Sequence, residues 1–291
     1  MTMPHAEIFA AFSGYAGPEI ENIDWIGMRY DPAWWPWTAT PEPPTPSEDY
    51  FEWIDLLEAV AAAEDRFTML DLGAGFGRWG IRAALAARQC GLRRIDIRFV
   101  EAEPQHAAWL RDAVQMNSLR EEGVGIAVSE AVVSYAQGPL GFAIAQQEQD
   151  YDAHNWWGQF AVPATDAGES GRSYLGHAVY RNARGDELIY LPPVTFETLA
   201  ADLAIVDLVN MDIQGAEREL IENAIAGFSA KVRRVHIGTH GTAIENAIRT
   251  IFRDNGWVCR WDFSHSGERQ TPYGPARFDD GVQSWRNPRL T

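Results

Sequence analysis

Residues 68–77, Thr-Met-Leu-Asp-Leu-Gly-Ala-Gly-Phe-Gly, constrain the fold of this chain more than any other stretch. An apolar run from Phe67 to Leu72 carries one acid, Asp71, and three glycines follow at alternate positions, Gly73, Gly75 and Gly77. From Arg78 onward the pattern is helical. This order reads as a buried strand, a tight turn and a helix start. Glycine removes the Cβ, so the turn can bring bare backbone close to a ligand. The N–H groups at the helix start then favour an anionic or electron-rich ligand group.

The rest of the chain repeats the alternation of strand and helix. Ser47 is a candidate cap for a helix from about Glu48 to Ala63, with Phe51, Ile54, Leu57 and Ala61 on one apolar stripe. After the glycine turn the pattern predicts a helix to about Arg88, a strand from Ile95 to Val100 ending at Glu101, and a helix from Pro104 to Asn117. Further strands are expected at Ile126–Val133, at Ile205–Met211 ending at Asp212, and at Val232–Ile237. Helices are expected at Ala216–Phe228 and from a capping box, Thr242 to Glu245, on to Asp254. Two last strands, Trp257–Phe263 and Gly281–Trp285, flank a long polar loop whose acids read as turn residues. Seven strands alternating with helices imply an α/β chain with a mostly parallel sheet and helices on both faces. In such sheets ligands bind at the carboxyl ends of the strands. Function is therefore sought at Asp71–Gly77, Glu101–Glu103, Asp212–Glu217 and Gly238–Gly241.

Two stretches stand apart. Residues 1–46 hold Trp25, Trp34, Trp35 and Trp37 with Pro32, Pro36, Pro41, Pro43, Pro44 and Pro46, which suits an extended arm packed on the main domain, either as a strap or as a lid over its cleft. The main domain is then 47–291. Within it, residues 135–195 are polar, glycine-spotted and aromatic, and too long for a plain connection. A hairpin and a wall of the functional cleft are expected there, with Trp156 and Trp157 as candidate substrate contacts.

The net charge of −17 and isoelectric point near 4.8 argue against nucleic acid as the main partner, because phosphate binding needs a basic surface. Two cysteines, Cys90 and Cys259, exclude a Cys-only metal site and read as free thiols of a cytoplasmic protein. No secretory pattern opens the sequence, and no apolar run is long enough to span a membrane.

The glycine loop satisfies two cofactor patterns. Gly75-Phe-Gly77-Arg-Trp-Gly80 matches the dinucleotide pattern G-x-G-x-x-G, with Glu101 placed to hold ribose hydroxyls. In the other register, Asp71-Leu-Gly73-Ala-Gly75-Phe-Gly77 resembles the first motif of class I S-adenosylmethionine-dependent methyltransferases. That resemblance implies that Asp71 meets the amino end of the methionine part, that the loop from Gly73 through Ala74 and Phe76 to Gly77 passes close to the cofactor, and that Glu101, with Glu103 as its rival, takes the ribose hydroxyls.

Asp207-Leu-Val-Asn-Met-Asp212-Ile-Gln-Gly215-Ala-Glu217 is more distinctive. It resembles the Asp-Leu-x-Lys-x-Asp-x-Glu-Gly-x-Glu signature of the FkbM family of methyltransferases, and with the first motif and Thr195-Phe-Glu-Thr-Leu199 the resemblance covers about residues 67–240. It implies the class I Rossmann-like fold, S-adenosylmethionine as methyl donor, and O-methylation of a sugar, glycan or polyketide-like acceptor. Asn210 stands where the family has Lys, Gln214 where it has Glu, and His236-Ile-Gly238-Thr-His240-Gly241 where a Glu is common. A neutral His240 is the expected general base. Asp212 is expected to orient it, act as base itself, or touch the cofactor, while Gln214 and Glu217 face the substrate. Asp212, Glu217 and His240 offer ligands of the kind a divalent cation takes, but no compact metal motif supports one, and none is assigned. An NAD(P)-dependent oxidoreductase using Gly75, Gly77 and Gly80, and a non-catalytic cofactor-binding module, are the competing readings. The oligomeric state is not legible.

Overall fold

The structure, a computed structural model, describes residues 6–17, 22–34, 41–120, 122–144, 158–162 and 167–290. The central sheet has seven strands: β1 (Arg66–Leu72), β2 (Arg94–Glu101), β3 (Val124–Glu130), β4 (Leu208–Met211), β5 (Arg234–Thr239), β6 (Val258–Phe263) and β7 (Gly281–Arg286). Their spatial order is β6-β7-β5-β4-β1-β2-β3. β1 to β5 run parallel, and β7 is inserted antiparallel between β5 and β6. This is the class I methyltransferase arrangement, and the strand order reverses between β1 and β4, the point where such sheets bind ligands.

The helices are α1 (Ala6–Ala10), α2 (Glu48–Ala61), α3 (Arg78–Gln89), α4 (Pro104–Met116), α5 (Phe196–Leu199), α6 (Glu217–Lys231) and α7 (Thr242–Asp254). Alternation along β1 assigns them to two faces. Phe67 and Met69 join a core with α2, α3 and α4, whereas Leu70 and Leu72 join a second core with α5, α6 and α7. Each fully buried Phe or Leu side chain contributes about 1.5–3 kcal/mol. β1 is buried from Phe67 to Leu72, which is why its sequence is nearly continuously apolar.

The described part of the arm belongs to the first core. Trp25 meets the rings of Phe9 and Trp53 edge-on, and Trp34 stacks on Trp109. The Arg82 guanidinium lies 4.5 Å from the Trp53 ring and 4.4 Å from the Trp79 ring, with Nε donating to Asp24 at 2.7 Å. The described part of the arm therefore packs on α2, α3 and α4. Trp35 and Trp37 lie outside the described residues.

Several elements differ from expectation. β4 begins at Leu208 because Val206 forms only an isolated bridge, to Val232. No capping box opens α7. Gly241 is its N-cap, and Glu245 instead accepts from the backbone and ring nitrogens of His265, both at 2.9 Å. The polar loop between β6 and β7 is a hairpin, Gly267–Thr271 with Gly274–Phe278. Segment 135–195 forms more than one hairpin. Its described residues make a five-stranded sheet whose outer strands are Ala161–Val162 and Gly168–Tyr174. Tyr174 fastens this sheet to α4 by donating to Glu103 at 2.6 Å. Trp156 and Trp157 lie outside the described residues. Among the described residues no helix is long and apolar enough to cross a membrane.

Candidate active site

A cleft follows the carboxyl edge of the central sheet from Ala131–Val133, after β3, to Asp280 and Gly281 at the start of β7. It encloses about 1290 Å³, open solvent at its mouth included. Phe142, Phe160 and Ala161 of the inserted segment supply one wall.

The floor is the glycine turn. Gly73 has φ +78°, and a Cβ there would stand 1.7 Å from the carbonyl oxygen of Asp212. Only glycine therefore lets the ends of β1 and β4 close on each other. The N–H groups of Gly73 and Ala74 both donate to the Val100 carbonyl, folding the turn over the end of β2. Gly73, Ala74, Gly75 and Phe76 line the cleft, as the sequence pattern predicts. Gly77 does not line it. Gly77 is the left-handed N-cap of α3, where a Cβ would stand 2.2 Å from Leu110.

Asp71 departs from its expected place. It is 1% exposed, accepts from Gly80 N–H at 2.9 Å and from Asn210 Nδ2 at 3.1 Å, and does not line the cleft. Its carboxyl ties the first turn of α3 to β1 and β4. Burial pushes it up to about 6, against both donors. Asn210, in the place of a Lys, is one of those donors.

Glu101 does line the cleft. One carboxylate oxygen accepts from Gly75 N–H at 2.6 Å and the other from Glu103 N–H at 2.7 Å. Burial pushes this carboxyl up to about 8 despite the two donors. Glu103, its rival, does not line the cleft. It caps α4 through His106 N–H at 2.8 Å, accepts from Tyr174, and is 1% exposed.

The opposite end of the cleft is built by the loops after β4 and β5. Asp212 reaches the cleft with its side chain 48% exposed, accepting from Gln214 Nε2 at 2.9 Å. Partial loss of solvent pushes its carboxyl up to about 6, opposed by the charge of His240 and aided by those of Asp280 and Glu217. Gln214 holds φ +51°, uncommon for a residue with a Cβ, and lines the cleft. Glu217, expected at the substrate, is fully buried instead. Its Oε1 accepts from Gly215 N–H at 3.0 Å and pairs with His240 Nδ1 at 2.8 Å.

His240 lies behind the cleft wall, its Nε2 3.4 Å from Asp212 and 3.6 Å from Asp280. Burial disfavours its charged form, but the carboxylates of Asp280 and Glu217 and the charge of Asp212 outweigh this and push the ring up to about 11. These neighbours favour the protonated ring, against the neutral base expected from the sequence. His236 touches the cleft as well, and its Nδ1 pairs with buried Asp55 of α2 at 2.7 Å.

Sequence reasoning missed the acidic rim. Glu48, Asp49 and Glu52 of α2 and Asp280 all line the cleft, with Arg78 beside Asp49 at 3.1 Å. Burial pushes Glu48 up to about 7 and Glu52 well above its ordinary value. The spacing of Glu48, Asp49 and Glu52 on one side of α2, away from the apolar stripe, was the available signal. Glu48 also accepts from the N–H groups of Asp279, at 2.8 Å, and Asp280, at 3.1 Å, fixing the turn before β7.

No protein-family model matches this chain. A protein of Jannaschia sp. (strain CCS1) that carries a provisional methyltransferase name is 25% identical over 216 residues, 74% of this chain and 70% of its own length. Among solved structures, precorrin-6y C5,15-methyltransferase from Geobacter metallireducens GS-15 superposes with a TM-score of 0.43 at 12% identity, covering 85% of this chain and 92% of that one. Methyltransferase FkbM from Methylobacillus flagellatus KT gives 0.42 at 12% identity over 77% of this chain and 45% of that one. These superpositions are distant, and the fold assignment rests on the strand order itself.

Proposed function

We propose that the chain is an S-adenosylmethionine-dependent O-methyltransferase of the FkbM type, acting on a hydroxyl of a sugar, glycan or polyketide-like small molecule. The observation that carries this reading is the placement of two different chemistries at the two ends of one cleft. Glu101 and the Gly75 backbone stand at the β2 end, and Asp212, with His240 behind it, stands at the β4–β5 end.

The residues fit the methyl donor. The turn through Gly73 and Gly75 presents backbone without a Cβ, and Glu101 is a buried carboxyl held only by backbone N–H groups, suited to receive a ribose diol. When bound, the donor supplies an electrophilic methyl on a sulfonium, so the protein needs no covalent intermediate. The chain's task is alignment of the acceptor oxygen, a contribution of about 7–11 kcal/mol when the geometry is good. Asp212 projects into the cleft, and in this reading its carboxylate takes the hydroxyl proton. Gln214 and the His240 ring hold it there. The acids of the rim favour uncharged polyol or cationic acceptors over polyanions such as nucleic acid.

Thermal-shift measurements with S-adenosylhomocysteine and NAD test the reading. S-Adenosylhomocysteine is expected to raise the melting temperature and NAD to leave it unchanged; the reverse result would replace methyl transfer by hydride transfer. With acceptors added, release of S-adenosylhomocysteine is expected to fall about 10²–10⁴-fold in Asp212→Asn.

A further inference from the structure

We infer that Asp212, His240 and Asp280 form a site for a divalent first-row metal cation at the acceptor end of the cleft. The three side chains come from three separate loops, yet one ligand atom of each lies within 4.8 Å of the others. His240 Nε2 stands 3.4 Å from Asp212 Oδ1 and 3.6 Å from Asp280 Oδ1. Ligand atoms each ~2.1 Å from a cation stand about 3.0–3.4 Å apart in octahedral or tetrahedral geometry, so the two His240 distances are close to coordination spacing and the half-exposed carboxylates need to turn inward by about 1 Å or more to complete the set. One imidazole and two carboxylates suit first-row divalent ions better than calcium, which takes oxygen ligands throughout.

A second observation points to a missing ligand. His240 Nε2 is shielded from solvent and makes no hydrogen bond, although it faces two carboxylates. A ring that served only as an ion-pair bridge would draw one of those oxygens to normal hydrogen-bond distance.

Each candidate ligand is also held from outside the set. Glu217, fully buried, accepts from the other ring nitrogen of His240 at 2.8 Å, the carboxylate–histidine arrangement that orients metal-bound imidazoles. Gln214 positions the Asp212 carboxylate, and Glu48 clamps the backbone of Asp280. Gly281 brings that turn in. A Cβ there would stand 2.3 Å from Thr239 Oγ1 and 2.7 Å from Glu245 Oε1, so only glycine lets Asp280 approach the end of β5 so closely. Asp212 and Asp280 are 48% and 41% exposed toward the cleft, which leaves coordination positions there for water or an acceptor oxygen. Binding of the ion does not depend on the function proposed above; its role toward the acceptor rests on that reading.

The test is Mn²⁺ binding to the full chain, followed by calorimetry and by electron paramagnetic resonance, with S-adenosylhomocysteine titrated in parallel. One saturable Mn²⁺ per chain is expected, with a nitrogen coupling in the spectrum. Asp280→Asn, at a half-exposed turn, is expected to weaken Mn²⁺ by about 10–100-fold or more while leaving S-adenosylhomocysteine affinity within about twofold. His240→Gln is expected to abolish the nitrogen coupling. Absence of saturable Mn²⁺ binding by wild type that binds S-adenosylhomocysteine would overturn the metal site alone. Mn²⁺ binding that survives Asp280→Asn, or a nitrogen coupling that survives His240→Gln, would overturn it equally. Binding of Mn²⁺ without S-adenosylhomocysteine would keep the site and remove the methyl-transfer reading.

Discussion

Replacing Glu101 by Gln probes the cofactor end of the cleft, and pH supplies the lever. Burial raises the Glu101 carboxyl from 4.5 to about 8, against the N–H donors of Glu103 and Gly75 and with the charge of Glu103 adding to the rise. His106 Nδ1 lies 3.9 Å away, but burial holds that ring down at about 3, so it brings no compensating charge. The folded chain therefore holds this proton more tightly than the unfolded chain. The stabilisation it gives is complete below pH 4.5 and is lost as pH rises through about 8. A ligand whose hydroxyls donate to Glu101 requires the ionised form and must displace the proton. Affinity for S-adenosylhomocysteine is expected to rise about tenfold per unit between about pH 6 and 8 and then level, at 1.36 kcal/mol per unit. Gln cannot offer two charged acceptors. Its loss of about 1.5–3 kcal/mol corresponds to about 10–100-fold weaker binding above pH 8. Near pH 6 the two proteins should converge, since wild-type Glu101 is then also neutral. Calorimetric titration of both between about pH 5.5 and 8.5 decides the matter. A flat wild-type profile, or an equal slope in Glu101→Gln, would show that another group such as Glu48 titrates and that Glu101 does not hold the ribose.

Two further outcomes concern stability. Gly73→Ala places a Cβ against the Asp212 carbonyl at a φ of +78° and should cost at least about 2–3 kcal/mol in urea unfolding; a change below about 0.5 kcal/mol would mean that the β1 and β4 ends separate freely. Arg82→Ala leaves Asp24 buried without its partner and should cost about 3–5 kcal/mol, with faster proteolysis of the arm. Adding Asp24→Ala should cost less than the sum of the single changes, and strict additivity would sink the coupling.

The sheet was legible because its signals are local. An apolar run, a glycine and a helical period recur in order, and five parallel strands with their helices follow from that alternation. The glycine turn and Glu101 were legible for the same reason, since strand ends carry ligands. The burial of Asp71 was not legible, because sequence shows that an acid sits beside a turn but not which way it points. The register that sets Asp71 opposite Asn210 directs it inward. The burial of Glu217 was not legible either, because as the first residue of α6 it turns under the loop after Asp212 to reach His240. Asp280 was read as a turn residue since nothing local links it to His240. Their proximity comes from β7 entering between β5 and β6, a pairing set by the closing of the whole sheet. The His240 ring was expected neutral because its carboxylate neighbours come from three distant segments.

The insertion of β7 has a consequence for biosynthesis. A nascent chain carrying β1 to β6 has every parallel strand of the sheet, yet β6 has no partner and the edge of β5 stays open until β7 is made. Domains fold as units during synthesis, with early segments waiting for late ones. Here the delay falls on the acceptor end, because Asp280 and Gly281 arrive with the strand that seals the sheet, while the glycine turn and Glu101 are complete far earlier. Of the residues that line the cleft, the glycine turn, Glu101 and Asp212 are thus made before the turn and strand that close its far end.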